Sequence, residues 1–356
     1  MILSQSNQNE SPTFKTRVAT FWNWFSQCAD RFYQTIEAGN CPDLEPEVSQ
    51  TVRHLFPGFA WVFGPGADGV GHSFTLSAEG DANRQFLTSF WLANAPEING
   101  WTFYSTRQPS DIESEHAIQV DEFEIAAGDV LIDAQLDEEN ERIDIKAWHP
   151  SFVHWDQNKQ YSILFIWLDE ALGETGTQSW IGEIEISPDI SENGIPVTAL
   201  KEFVASIELE YGWKKFPPDE TYSTYQLPNP SQDFPRADTI AGSTCNMNLV
   251  SDYFSSQGQM EDPLEETGAQ FIYLTINPAI FPEGQQVEFR GQIEDALEDV
   301  LRSNFSGRVF GGALGMSAAY IDLVIFDGGE SLRLIDQAMH QQQLSDQYSV
   351  EPFAVV

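Results

Sequence analysis

The stretch WHPSFVHWD, residues 148–156, carries His149, His154 and Asp156 around a proline. Two imidazoles five residues apart with a neighbouring carboxylate could hold a divalent metal or pass a proton. The spacing matches neither a helix-face pair nor a zinc signature. The same residues also read as a loop between two strands, with Trp148 and Trp155 packed at a sheet edge. An enzyme reading of the chain would rest on His149 and His154.

A second stretch, GRVFGGALGMSAAYIDLVIFDGG (307–329), is rich in glycine. A phosphate loop runs strand, glycine-rich turn, helix, because the helix N-terminus presents aligned N–H groups. Here the expected order is helix, glycine segment, strand, with no following Lys-Ser/Thr. Gly311, Gly312 and Gly315 are therefore expected around a hairpin, permitting positive φ, a bulge or close backbone approach. A small molecule or partner docking at the 307–315 hairpin is the alternative reading. Gly328-Gly329 reads as a strand-to-helix turn.

Nucleophilic catalysis would need Cys28 or Cys41 beside His54 and a carboxylate. Cys28 falls on an apolar helix face and Cys41 in a turn, which are ordinary places for both. The motifs G-x-S-x-G, H-E-x-x-H and the EF-hand loop are absent. No motif calls for a cofactor. Glu294 and Glu298 lie four residues from Arg290 and Arg302, the spacing of helix-surface ion pairs. In FWNWF (21–25), Phe21, Trp22 and Phe25 share one helix face while Trp24 points elsewhere, which makes Trp24 a candidate interface residue.

These residues must be positioned by regular elements. Apolar residues at steps of three and four from Phe14 to Ile36 predict a long amphipathic helix. EPEVSQTVRHLF predicts a second helix, FAWVF and HSFTLSAEG a hairpin. DANRQFLTSFWLANA predicts a helix capped by Asp81 or Asn83, and GWTFYSTRQP a strand. AIQVDEFEI, DVLIDAQL and ERIDIKAW are three expected strands, the last two joined at DEEN. The near-continuous apolar run YSILFIWLD is expected to be a central strand, followed by strand WIGEIEI and a helix from Val197 to Tyr211. KKFPPDETYSTYQLPNPSQDFP holds five prolines and reads as a linker. Beyond it the order is βαββαβ: strand 270–277, helix QVEFRGQIEDALEDVLRSN, strands RVFGGAL and AAYIDLVIFD, helix SLRLIDQAMHQQ and strand QYSVEPF. That order predicts a four-stranded sheet with both helices on one face, a ferredoxin-like unit.

The expected organisation is α+β: a disordered N-terminus over 1–13, an α+β domain over 14–213, a proline-rich linker over 214–238 and a ferredoxin-like domain over 239–356. The 356 residues suit two domains. The formal net charge of −38 argues against nucleic acid and anionic membrane surfaces and in favour of a basic protein partner. No lysine follows Lys215. Three scattered cysteines form no disulfide framework, and neither a secretion signal nor a membrane span is read, so the cytoplasm is the expected compartment. An edge strand leaves monomer or homodimer open.

FWNWF, NGWTFYSTRQP and GGALG…YIDLVIFD together resemble a group of uncharacterised bacterial cytosolic proteins. The second domain is similar in architecture to the small acidic inhibitor that regulates ribonuclease E. The resemblance implies regulation by protein contact and supplies no catalytic residues. The leading expectation is thus a non-catalytic binding or regulatory protein of inhibitor or immunity type, acting through an acidic surface. The rival is a small-molecule sensor with its ligand at the interdomain cleft or the 307–315 hairpin.

Overall fold

The structure, a computed structural model, describes residues 11–354. It is α+β, as the sequence predicts. The expected disorder over 1–13 falls outside the described residues as far as residue 10. Thr13 is fixed: its hydroxyl caps the first helix by accepting from the Thr16 N–H.

In chain order the elements are α1 (Phe14–Glu37), α2 (Glu45–Leu55), β1 (Ala60–Pro65), β2 (His72–Ser77), α3 (Ala82–Ala93) and β3 (Trp101–Tyr104). Then come β4 (Ala117–Val120), β5 (Phe123–Ala126), β6 (Leu131–Asp137), β7 (Arg142–Trp148), α4 (Gln157–Trp180), β8 (Ile181–Ile186), β9 (Ile195–Pro196) and α5 (Leu200–Tyr211). The chain closes with β10 (Ser223–Gln226), β11 (Thr239–Thr244), α6 (Met247–Ser255), β12 (Gln270–Ile276), α7 (Gln286–Ser303), β13 (Gly307–Gly315), β14 (Ala319–Ile325), α8 (Gly329–Gln341) and β15 (Tyr348–Pro352). No described helix is long and apolar enough to cross a membrane.

Two compact units result, and they do not follow the expected boundaries. One takes the residues up to 74, 81–103 and those from 219 onward; the other takes 75–80 and 104–218. The reason lies in α1 and α3. The first N–H groups of a helix have no partner within it. In α1 the Phe14 and Lys15 N–H groups donate to the carbonyls of Gly268 and Phe326. Phe86 and Phe90 of α3 meet Phe310 and Phe326, with ring centroids 5.6 and 4.2 Å apart. The expected linker 214–238 is not a linker either, because β10 lies inside it and pairs antiparallel with β11.

The first unit holds a six-stranded sheet in the order β10-β11-β13-β14-β12-β15, every neighbour antiparallel. The expected four strands are present and are extended at β13 by β11 and β10. One face is aliphatic: Ile272, Leu274, Ile321 and Leu323 pack with Ile293, Leu297, Ile335 and Met339 of α7 and α8. The other face is aromatic and buries a charge pair. Arg236 and Asp322 are enclosed, with 1% and 0% side-chain exposure, and form a fork with Nη1–Oδ1 2.9 Å and Nη2–Oδ2 3.1 Å. The rings of Tyr273, Phe353, Tyr320 and Tyr253 surround the guanidinium at 4.8 to 5.6 Å. Burial disfavours the Arg236 charge, but the facing Asp322 outweighs it and lifts the guanidinium pKa above its ordinary value.

The second unit has a four-stranded sheet, β8-β7-β6-β9, in which only β7 and β8 are parallel. The segment 117–125, expected as one strand, is the β4–β5 hairpin, turned at Asp121 with φ 53°. The run YSILFIWLD, expected as a strand, lies inside α4. Asp156 caps that helix by accepting from the Lys159 N–H. Ile163, Leu164, Trp167, Leu168 and Ala171 form its buried stripe. Phe165 and Ile166 are 42% and 46% exposed, and they fill the gaps that would have shown the helical period.

Removing one member of a buried ion pair strands the other charge, which costs about 3–5 kcal/mol. Asp322→Ala is expected to lower the urea-unfolding free energy by about that amount. Arg236→Met combined with Asp322→Leu should lose much less, because no charge is left behind.

Candidate functional site

The site with the most suitable geometry is a pocket of about 250 Å³ in the first unit. Four parts of the unit build it. From α3 come Phe86 and Phe90, from just beyond α7 comes Phe305, and from one end of the antiparallel β13–β14 pair come Arg308 and Phe326. Asp219 closes it from the segment before β10. The Arg308 guanidinium donates to Asp219 Oδ2 at 3.1 Å and to the Asp219 carbonyl at 2.8 Å. It lies 5.3 Å from the Phe86 ring centre. The two side chains are 12% and 7% exposed, and the buried Arg308 Nε has no hydrogen-bond partner among the described residues.

Phe305 stands at the pocket in a conformation its residue type disfavours. Its φ is 49°, in the left-handed region, directly after the C-terminal turn of α7. The Phe305 N–H donates to the Arg302 carbonyl and the Ser306 N–H to the Leu301 carbonyl, which closes the helix end. Glycine is the usual residue at such a position because a Cβ is strained there by about 1–2 kcal/mol. Phe305 carries that cost and leaves its side chain 49% exposed. Among the described residues it is the only large apolar side chain held at positive φ. Strain of this kind collects at ligand clamps.

The pocket is suited to holding an apolar group, with a forked ion pair to orient it. No activated nucleophile lines it. Nearby, burial pushes the Cys245 thiol up to about 12, so it remains protonated near neutrality.

The residues nominated from the sequence lie elsewhere and are not brought together. Gly311, Gly312 and Gly315 are within strand β13, which runs the length of the expected hairpin; the turn is at 316–318. None of them has positive φ. They are needed for close approach. A Cβ on Gly315 would stand 2.7 Å from the Asp238 carboxylate, one on Gly312 2.8 Å from the Tyr320 carbonyl, and one on Gly311 2.8 Å from the Ser243 carbonyl. The strand also bulges between Val309 and Gly311. The region does touch the pocket, through Gly307 and Arg308 at the strand's beginning.

His149 is 3% exposed and accepts the Ser151 N–H at Nδ1, capping a short turn over Pro150–His154. Burial lowers its pKa, with the Asp129 charge opposing. His154 is exposed and stacks on Phe123 with centroids 4.4 Å apart. Both rings have packing roles, and no metal-ligating group of three or more His, Cys, Asp or Glu side chains occurs among the described residues. Trp24, nominated as a free interface ring, is half-buried and packs against Phe21 and Phe32 at 5.5 and 5.6 Å.

One titratable group went unnoticed in the sequence. The α4 backbone breaks at Gly173, with φ 73° and ψ 160°. The break presents Glu174, 1% exposed, to Ser77 Oγ, the Gly80 N–H and the Arg107 N–H, all of which donate to it. Close by, burial raises the Asp169 carboxyl to about 6, and the Glu174 charge adds to the effect. A glycine inside a helical stretch was the one available signal.

No known family model, curated protein or solved structure matches the chain.

Two outcomes follow from this geometry. Phe305→Gly removes the left-handed strain and should raise the unfolding free energy by about 1 kcal/mol in urea titration. For Asp169, the native state holds more protons than the unfolded chain between about pH 4 and pH 6. Unfolding free energy therefore falls as pH rises through that window. Asp169→Asn should abolish this slope and stabilise the protein at pH 7 by about 1–2 kcal/mol, the partly solvated carboxyl contributing less than a fully buried one would.

Proposed function

We propose that this chain is a non-catalytic cytoplasmic binding protein whose pocket beside Arg308 receives one apolar side chain of a basic partner protein. The observation that carries the reading is Phe305, a strained and half-exposed ring at a small aromatic pocket. A volume of about 250 Å³ is room for a single large side chain and is below the range of most metabolite sites. Anchor side chains that fill such pockets dominate the affinity of many interfaces. The partner's sign follows from the net charge of −38, which draws a basic protein in and repels an acidic one. The three free thiols are compatible with a reducing compartment. The resemblance to a small acidic inhibitor points the same way.

The test uses labelled twelve-residue peptides with Trp, Phe or Leu at the centre and either lysine or glutamate flanks, read by fluorescence anisotropy. Lysine-flanked peptides are expected to bind at about micromolar Kd and to weaken at least about tenfold from 50 to 500 mM salt. Ser89 of α3 also lines the pocket, and Ser89→Trp, which fills it, should abolish binding with an unchanged thermal melt. Phe305→Gly should weaken binding although it stabilises the fold. Equal binding of glutamate-flanked peptides, or full binding by both variants, would overturn the proposal.

A further inference from the structure

The cations of this chain are scarce, and nearly all are spoken for. Of 17 Lys and Arg residues, 13 sit in ion pairs with a carboxylate. Among the described residues Arg17, Arg53, Arg142 and Lys214 do not. Arg142 belongs to the second unit, where it donates to the carbonyls of Gln178 and Ile181, and Lys214 is an exposed residue of the same unit. Arg17 and Arg53 face one cavity of about 820 Å³ in the first unit, together with His54. With 55 acidic residues in the chain, two arginines in one cavity that form no ion pair among the described residues call for a reason.

Arg17 is the more telling of the two. It is 9% exposed, and it donates Nε to the Pro12 carbonyl at 3.1 Å and Nη1 to the Leu55 carbonyl at 3.2 Å. Those bonds hold the guanidinium rigidly and leave Nη2 uncommitted among the described residues. Burial lowers the Arg17 pKa, and the Glu266 charge offsets this only in part. The guanidinium is thus held by two carbonyls with one nitrogen to spare, a geometry that suits a bound carboxylate.

The opposite lining is acidic. Asp262, Glu265 and Glu266 come from the segment before β12 and face the same cavity. A simple anion would meet repulsion there. A molecule with an anionic end and a cationic end would satisfy both walls.

We infer that this cavity binds a small zwitterion, an amino acid or short peptide with both termini free, its carboxylate on Arg17 and Arg53 and its ammonium toward Glu265 and Glu266. The site is independent of the aromatic pocket and of the role proposed for it. A net charge of −38 repels loosely held anions, so saturable binding of a carboxylate reports a built site and not general attraction.

The probe is trialanine, titrated calorimetrically into the 356-residue chain beside its N-acetyl and C-terminal amide forms. Free trialanine should bind one to one, at about millimolar Kd or tighter, and each blocked form at least about tenfold more weakly. Arg53→Ala, an exposed position on α2, should narrow the gap between acid and amide at least about threefold, because one of the two groups that read the carboxylate is gone while Arg17 remains. Lys214→Ala should leave the titration unchanged. Glu265→Gln should weaken the free peptide and spare the N-acetyl form. Absence of saturable binding up to about 10 mM, equal binding of acid and amide by the unaltered protein, or the same loss in Lys214→Ala would each overturn the inference.

Discussion

The contact on which the first unit depends is the fork between Arg236 and Asp322, sealed between the central sheet and the elements covering its aromatic face. A charge pair this deep costs much to desolvate, and the four aromatic rings around the guanidinium offset part of that cost through cation–π contact. The fork also fixes connectivity. Arg236 comes from the segment that reads as a linker, whereas Asp322 is on the fourth strand of the sheet. Joining them holds the proline-rich segment against β14 and brings β11 into register with β13. Two residues beyond Arg236, Asp238 accepts from the Ser317 N–H, the Ser317 hydroxyl and the Tyr320 hydroxyl. Burial alone would raise that carboxyl, but these hydrogen bonds reverse the effect and hold it below its usual value. The glycines of β13 belong to the same arrangement, since Asp238 occupies the space a side chain at 315 would need.

How much of this was legible in the sequence depends on the range of the forces involved. The helices α1, α3, α7 and α8 were legible because an amphipathic helix writes its buried stripe at a period of 3.6. The order of the last six elements was legible for the same local reasons. The helix α4 was not, because Phe165 and Ile166 stay exposed and blur its stripe into a continuous run. The division into units was not legible either. It is set by contacts such as Phe90 on Phe326 and the Phe14 N–H on Gly268, more than 230 residues apart in the chain, and no local pattern records them.

The same limit applies to the candidate site. The histidine pair and the glycine cluster attract attention because chemistry-bearing types stand close together in sequence. Folding separates their roles: His149 caps a turn, His154 stacks on a phenylalanine, and the glycines admit a neighbouring backbone or carboxylate. The aromatic pocket is assembled from segments that carry no such types. Phe305 is unremarkable as a letter and becomes informative only with its backbone angle. A position where glycine would relieve strain, yet phenylalanine stands half-exposed, is a feature that stability alone does not account for.

The absence of lysine beyond Lys215 also acquires a physical basis. The five cations that follow are Arg236, Arg290, Arg302, Arg308 and Arg333, and each pairs with a carboxylate: Asp322, Glu294, Glu298, Asp219 and Glu330. Three of the five have side chains no more than 12% exposed. A guanidinium is planar, weakly hydrated and forked, so it can enter such places and bind a carboxylate at two points, while an ammonium keeps its water and offers a single point charge. In a chain this acidic, self-repulsion opposes the compact state. The few cations therefore stabilise it most where water is excluded and their attraction is least screened. The C-terminal half uses its positive charge as internal fastening, and its surface is left almost wholly to acids.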